Sequence, residues 1–293
     1  MVIRGSSGRF RGRGLYAIVA TFVLVFLWLQ YPFYSKPYIH DSTYGAINET
    51  ASGSKYAIAT FLADNTGTYG AEGTEQDDYF IATRVLVYQL LHAPETRCKD
   101  NSIPVIVLVT HDVSDAKRKQ LTSDGAVVVP VEDVPLRWWI TTGITRWRDV
   151  FGKLRLYEMT EYDRILFLDA DTMLTELIDA VFDDPIVRIP AQILLNRTKE
   201  LKTDELSLPA QYVFVARSEN CLTGERDHPF PPISHNKFSA GFWVIAPSKE
   251  IFNYFQSVMD HYRRFHPTEM EQSLMNYAYR RDGAMPWAEI GYK

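Results

Sequence analysis

Cysteine is nearly absent. Cys98 and Cys221 are the only two in 293 residues, which excludes a disulfide-framework mini-protein and a cysteine-rich zinc module. A strong charge of one sign is missing too: 31 basic against 36 acidic residues give −5, which offers no electrostatic footing for a nucleic-acid binder. No internal repeat is present. Nor is the composition that of a disordered chain, with 46% hydrophobic and 23% charged residues. The length suits one large α/β domain or two small ones.

Charge is also unevenly spread. The first fourteen residues hold Arg4, Arg9, Arg11 and Arg13 and no acid, leaving 27 basic against 36 acidic residues, or −9, for the rest. Directly after them, Leu15 to Leu29 carry no charge at all. Counted on through Tyr34, the run is roughly 20 residues, about 30 Å as a helix, which matches a hydrocarbon core. Trp28, Tyr31 and Tyr34 then fall at the interface, and the arginine flank keeps the N-terminus cytosolic. Bulky aromatics, rather than small residues, end the run, which favours an uncleaved signal anchor over a cleaved signal peptide. So short a span suits a thin bilayer of the early secretory pathway. Sequons at Asn48 and Asn196 fit lumenal exposure, and Cys98 and Cys221 can either pair in an oxidising lumen or remain separate thiols.

Residues 35–54 are polar, turn-rich and aperiodic, and read as a stem. The expected organisation is a cytosolic tail 1–14, an anchor 15–34, a stem 35–54 and a lumenal domain 55–293. In that domain apolar strands (Tyr56–Ala63, Ile103–Thr110, Ala126–Val131, Arg164–Leu168) alternate with helices over 78–92, 114–123 and 149–160. The first helix takes Asp77 or Asp78 as N-cap and ends before Pro94. Further on come a helix near 175–183, a strand near 238–246 and helices over 248–264 and 269–281. This alternation predicts an α/β fold, a parallel sheet with helices on both sides, and ligands at the carboxyl ends of its strands.

The fourth strand runs straight into Asp169-Ala170-Asp171-Thr172. Side chains at i and i+2 of an extended chain point the same way, so both carboxylates can face one hard cation. A plainer reading is a helix N-cap pair ahead of Met173 and Leu174. Two chemistries use such a pair. In a haloacid dehalogenase-type phosphatase Asp169 is the nucleophile and Asp171 the general acid. In sugar transfer from a nucleotide diphosphate the two hold Mn²⁺ or Mg²⁺ against the diphosphate.

Three longer segments carry a resemblance. FGKLRLYEMTEYDRILFLDADTMLTELIDAVFD (151–183), KFSAGFWVIAPS (237–248) and TEMEQSLMNYAY (268–279) resemble the glycogenin-like glycosyltransferases of family 8, which have the GT-A fold, especially fungal type II membrane members. The likeness runs from about Tyr56 to Met275. It implies a mostly parallel, Rossmann-like sheet and a retaining, metal-dependent transferase. The implied donor is a UDP-sugar, UDP-GlcNAc as first guess, and the implied acceptor a glycan or glycoprotein. The implied place is the Golgi or ER membrane. Residue by residue, it implies that Asp169 and Asp171 ligate the metal, with Asp169 and Ala170 beside the donor. Lys153 contacts the donor, and Tyr79 stacks on uracil with Tyr69 as its competitor. Ser239 and Gly241 line the sugar strand, Ser239 where Asn is common. Glu271, in place of the usual Asp, and Gln272 face the transferred sugar. No catalytic nucleophile is assigned. The family's third ligand is a histidine in a C-terminal His-x-x-Gly-x-x-Lys segment that no histidine up to Lys293 matches, so either that segment is expected beyond Lys293 or water or another residue completes the metal site. The alternative expectation is a degenerate, non-catalytic nucleotide-binding membrane protein.

Overall fold

The computed structural model describes residues 55–63, 77–141, 145–219 and 235–291. The expected anchor 15–34, the stem, Asn48, Tyr69 and Cys221 lie outside the described residues. Among the described residues, no helix is long and apolar enough to cross a membrane.

Strand β1 (Tyr56–Leu62) leads to helix α1 (Asp78–Leu91), then β2 (Val105–Val109), α2 (Asp115–Ser123) and β3 (Val127–Pro130). β4 (Arg164–Leu168) follows with the bounds the sequence predicts. Local chemistry explains the helix starts. Asp77, not Asp78, caps α1 by accepting from the Phe80 N–H at 3.0 Å. Ser114 caps α2 from outside it, accepting from the Lys117 N–H.

Three elements differ from expectation. The segment expected as a helix over 149–160 is a run of 3-10 turns, Thr145–Glu158. Gly152 lets that run lie close on β1, because a Cβ there would stand 2.7 Å from the Phe61 ring. The helix near 175–183 is a 3-10 turn, Asp179–Asp183, followed by the short α3 (Pro185–Arg188), with Asp184 as N-cap and Pro185 at its first position. Helix α4 (Lys249–Met259) stops short of residue 264, and Arg263, at φ 57°, stands where no right-handed helix could continue. Helix α5 spans Met270–Ala278.

The sheet is mostly parallel, as expected, with one antiparallel strand, β8. Its seven strands run β3-β2-β1-β4-β8-β7-β9, with β7 (Phe214–Ser218), β8 (Phe238–Ile245) and β9 (Ala288–Glu289) on one side of β4. β3, β2, β1 and β4 pair in parallel, β8 is antiparallel to both β4 and β7, and β9 is parallel to β7. A separate pair, β5 (Ala191–Gln192) and β6 (Gln211–Tyr212), is antiparallel.

Strand alternation sorts the core onto two faces. Ala57, Ala59, Ile165, Phe167 and Trp243 pack with Phe151, Leu154, Tyr157, Phe255 and Leu274, beneath the 3-10 run, α4 and α5. Ile58, Leu62, Leu166, Leu168 and Val244 pack with Leu86, Leu90 and Leu121 of α1 and α2. The result is three layers, and the site grows from the first face at the carboxyl end of β4.

Candidate functional site

Asp169 continues the parity of Ile165 and Phe167, so its side chain leaves on the face covered by the 3-10 run and α5. Lys153 meets it there. Its Nζ donates to Asp169 Oδ1 at 2.7 Å and to Glu271 Oε1 at 2.9 Å, 5.1 Å from the centre of the Phe167 ring. Residues 118 positions apart thus form one ion cluster. Lys153 and Glu271 are buried at 7% and 3% exposure, whereas the Asp169 side chain is 37% exposed. Asp169 is therefore the member that opens to solvent.

Electrostatics follow from one ammonium serving two carboxylates. Burial alone would lower the Lys153 ammonium, but the charges of Glu271 and then Asp169 outweigh it and hold it above its usual value. Burial pushes the Glu271 carboxyl up, only partly countered by Lys153. Glu271 Oε2 is moreover buried without a hydrogen-bond partner among the described residues. Just before it, Met270 is held at φ 53°, ψ −137°, a conformation that costs a non-glycine residue about 1–3 kcal/mol. Nothing in the sequence marks that residue.

β8 forms the other wall. The Asp169 N–H donates to the Gly241 carbonyl at 2.9 Å, and a Cβ on Gly241 would stand 3.0 Å from Asp169 Oδ2. The absent side chain keeps that oxygen approachable. Ser239 Oγ accepts from the Gly241 N–H at 3.3 Å. Gln272 is engaged with the strand itself, its Oε1 accepting from the Ala240 N–H at 2.9 Å. Asn276, one turn on, accepts from the Phe238 N–H and donates to its carbonyl, which fastens α5 to β8. No sequence motif singles out Asn276, although its i+4 spacing from Gln272 is a usable signal.

The structure thus brings together Lys153, Asp169, Glu271, Gly241, Ser239 and Gln272. Asp171 is placed differently from the extended-chain argument. β4 ends at Leu168, and the Thr172 N–H donates to the Asp169 carbonyl at 3.0 Å, so Asp169–Thr172 is a turn. Ala170 is buried inside it and Asp171 is exposed at its surface. Tyr79 stands in the first turn of α1, 43% exposed. Asn196 is exposed in the 3-10 turn Leu195–Glu200. Among the described residues, no group of three or more His, Cys, Asp or Glu side chains is arranged to hold a metal.

No protein-family model matches the chain. A Schizosaccharomyces pombe protein described as uncharacterized is 30% identical over 240 residues, 75% of this chain and 63% of that protein. Galactinol synthase 1 of Ajuga reptans is 27% identical over 229 residues, 78% of this chain and 61% of that one. Galactinol synthase 2 of Arabidopsis thaliana is 30% identical over 152 residues, 51% and 40% of the two. The chain spans less than two thirds of the length of these relatives. Among solved structures, a glycosyltransferase, GlyE of Streptococcus pneumoniae, gives a TM-score of 0.46 at 11% identity, over 81% of this chain and 45% of that one. An active-site mutant of LgtC gives 0.45 at 14% identity, over 80% and 72%. In sequence, this chain is similar to fission-yeast proteins and to plant proteins named galactinol synthase.

Proposed function

We propose that this chain is a retaining, metal-dependent glycosyltransferase of GT-A type, moving a sugar from a UDP-sugar to a glycan or glycoprotein acceptor. The observation that carries the reading is Lys153, buried between Asp169 and Glu271 at the carboxyl edge of β4. Apolar residues of similar volume often stabilise a core as well as a buried ion cluster does, so packing alone gives little reason for one. The likeness to proteins named galactinol synthase supports the same reading.

The donor set fits a hard cation. Carboxylate oxygens suit Mn²⁺ or Mg²⁺, and Asp169 Oδ2, on the side where Gly241 lacks a side chain, is approachable. Asp169 and Asp171 would hold the ion, which when bound neutralises the charge on the departing nucleotide diphosphate. Lys153 fixes the orientation of Asp169 through its 2.7 Å contact and, with Glu271, closes the floor of the site to water. Gly241 lets the donor approach β8 closely. Tyr79, exposed at the same edge of the sheet, offers a ring for uracil.

Calorimetry of the full chain with UDP, with and without Mn²⁺, tests the reading. Binding should require the metal and be lost in Asp171→Ala, and UDP-GlcNAc is the first donor to assay for turnover. Metal-independent binding of equal strength would refute the clamp. Hydrolysis of simple phosphate esters would support the phosphatase chemistry instead, and metal-dependent binding without turnover the degenerate protein. The proposal includes a single-pass type II anchor over 15–34 in the Golgi or ER membrane. Expression in a eukaryotic secretory host should then give a product whose mobility shifts on endoglycosidase treatment, through Asn48 or the exposed Asn196.

A further inference from the structure

Across α5 from the Lys153 cluster lies a second cavity, about 500 Å³ in volume. Glu271 faces the first site, whereas Ser273, Asn276 and Tyr277 line the second. Two residues along a helix turn the direction by roughly 200°, so α5 separates the two spaces and belongs to both. Lys237, immediately before β8, lines the cavity as well, close to the strand that carries Gly241.

The lining is strongly basic. Lys237, Arg264, Arg280 and Arg281 face it, with Asp282 as the only acid among the lining residues. Three of the four cations are held in place. Arg264 pairs with Asp204 at 2.5 Å and Glu205 at 3.4 Å. Arg281 pairs with Glu289 at 3.0 Å and lies 4.1 Å from the Trp287 ring centre, while its Nε is a buried donor with no acceptor among the described residues. Arg280 donates to the Tyr277 and Glu200 carbonyls at 2.9 and 2.8 Å, with Asp282 3.6 Å away. Lys237 is the loosely held one, 3.4 Å from Glu269 with both side chains at least 40% exposed. An exposed pair of that kind contributes little. A dianion in the cavity exchanges it for a charge-assisted hydrogen bond, which is shorter and stronger.

We propose that this cavity binds a phosphate group carried by the acceptor. The inference rests on the transferase reading for the word acceptor, but the phosphate site itself stands on the lining. The donor diphosphate belongs with Asp169 and Asp171 on the other side of α5, which leaves the basic cavity to the second substrate. Its phosphate is either a monoester on a soluble sugar or polyol, or the diester of a phospholipid headgroup.

Calorimetry on the full chain distinguishes these. Glycerol 1-phosphate supplies the monoester, glycerophosphoinositol the diester, and glycerol the uncharged control. We expect saturable binding of a phosphate probe and none of glycerol. In the double variant Lys237→Gln/Arg280→Gln, affinity should fall about tenfold or more, the worth of a charge-assisted hydrogen bond. Tighter binding of the monoester indicates a soluble acceptor, and tighter binding of the diester a lipid headgroup. Absence of saturable binding by either probe, or undiminished affinity in the variant, overturns the inference. Mn²⁺-dependent UDP binding, measured on the same samples, reports whether the variant is folded. Should the double variant fail that check, Lys237→Gln alone, in an exposed and loosely paired side chain, replaces it, and undiminished phosphate affinity there overturns the inference equally. Phosphate binding that persists where UDP does not bind refutes the transferase reading and leaves the anion site. The reverse outcome refutes the anion site alone.

Discussion

Replacing Gly241 by alanine separates stability from ligand binding. The added Cβ would lie 3.0 Å from Asp169 Oδ2 and 3.6 Å from Asp169 Cγ. The carboxylate must therefore retreat by a few tenths of an ångström. It cannot do so freely, because Oδ1 is held at 2.7 Å by Lys153, itself held at 2.9 Å by Glu271. Overpacking of this kind costs about 1–3 kcal/mol. Gly241 does not need a positive φ, so the alanine also regains about 0.4–1 kcal/mol by restricting the unfolded chain. The net loss should be about 1–2 kcal/mol, readable as a lower denaturant midpoint at unchanged slope. Binding should suffer more, since displacing a metal ligand's support typically weakens affinity by about 10–100-fold. UDP, which lacks the transferred sugar, isolates the effect on Asp169 from any clash with that group. A folded Gly241→Ala protein with wild-type affinity for Mn²⁺ and UDP would show that Asp169 Oδ2 does not face the ion.

Other perturbations probe the same cluster from other sides. Lys153→Met leaves Glu271 buried and unpaired and should destabilise by about 3–5 kcal/mol, and adding Glu271→Gln should recover much of that loss. Strictly additive losses in urea unfolding would refute the coupling. Because the Glu271 carboxyl is raised by burial, the folded state takes up its proton more readily than the unfolded chain does. Its stabilisation is complete below the ordinary carboxylate range and is lost as pH rises through the raised value. Glu271→Gln should remove that component of the pH profile, and parallel wild-type and variant profiles would contradict the assignment. Tyr79→Ala should leave the unfolding midpoint nearly unchanged but weaken UDP binding roughly tenfold, the worth of one base stacked on an aromatic ring. Unchanged affinity removes Tyr79 from the uracil site.

What the sequence determined by itself is local. The apolar run Arg164–Leu168 broke cleanly at Asp169 because a buried strand and the polar residue that ends it are written in adjacent positions. The start of α1 was legible for the same reason, since Asp77 caps the backbone only three residues away. Asp169 and Lys153 stood out in the sequence, the first from its place at the end of a strand, the second through resemblance alone. Periodicity, however, carries no information on which distant strand lies beside which. The antiparallel insertion of β8 next to β4, which brings Gly241 against Asp169, was invisible for that reason. The close seating of the 3-10 run Thr145–Glu158 on β1 likewise rests on Gly152 meeting Phe61, a contact between separate elements. The geometry of Asp169 and Asp171 turned on one hydrogen bond, from the Thr172 N–H, that converts an expected extended pair into a turn. Tertiary structure alone decided that Lys153 would be buried between two acids, because a charge 118 residues from its partner acquires that partner only when α5 packs over the 3-10 run.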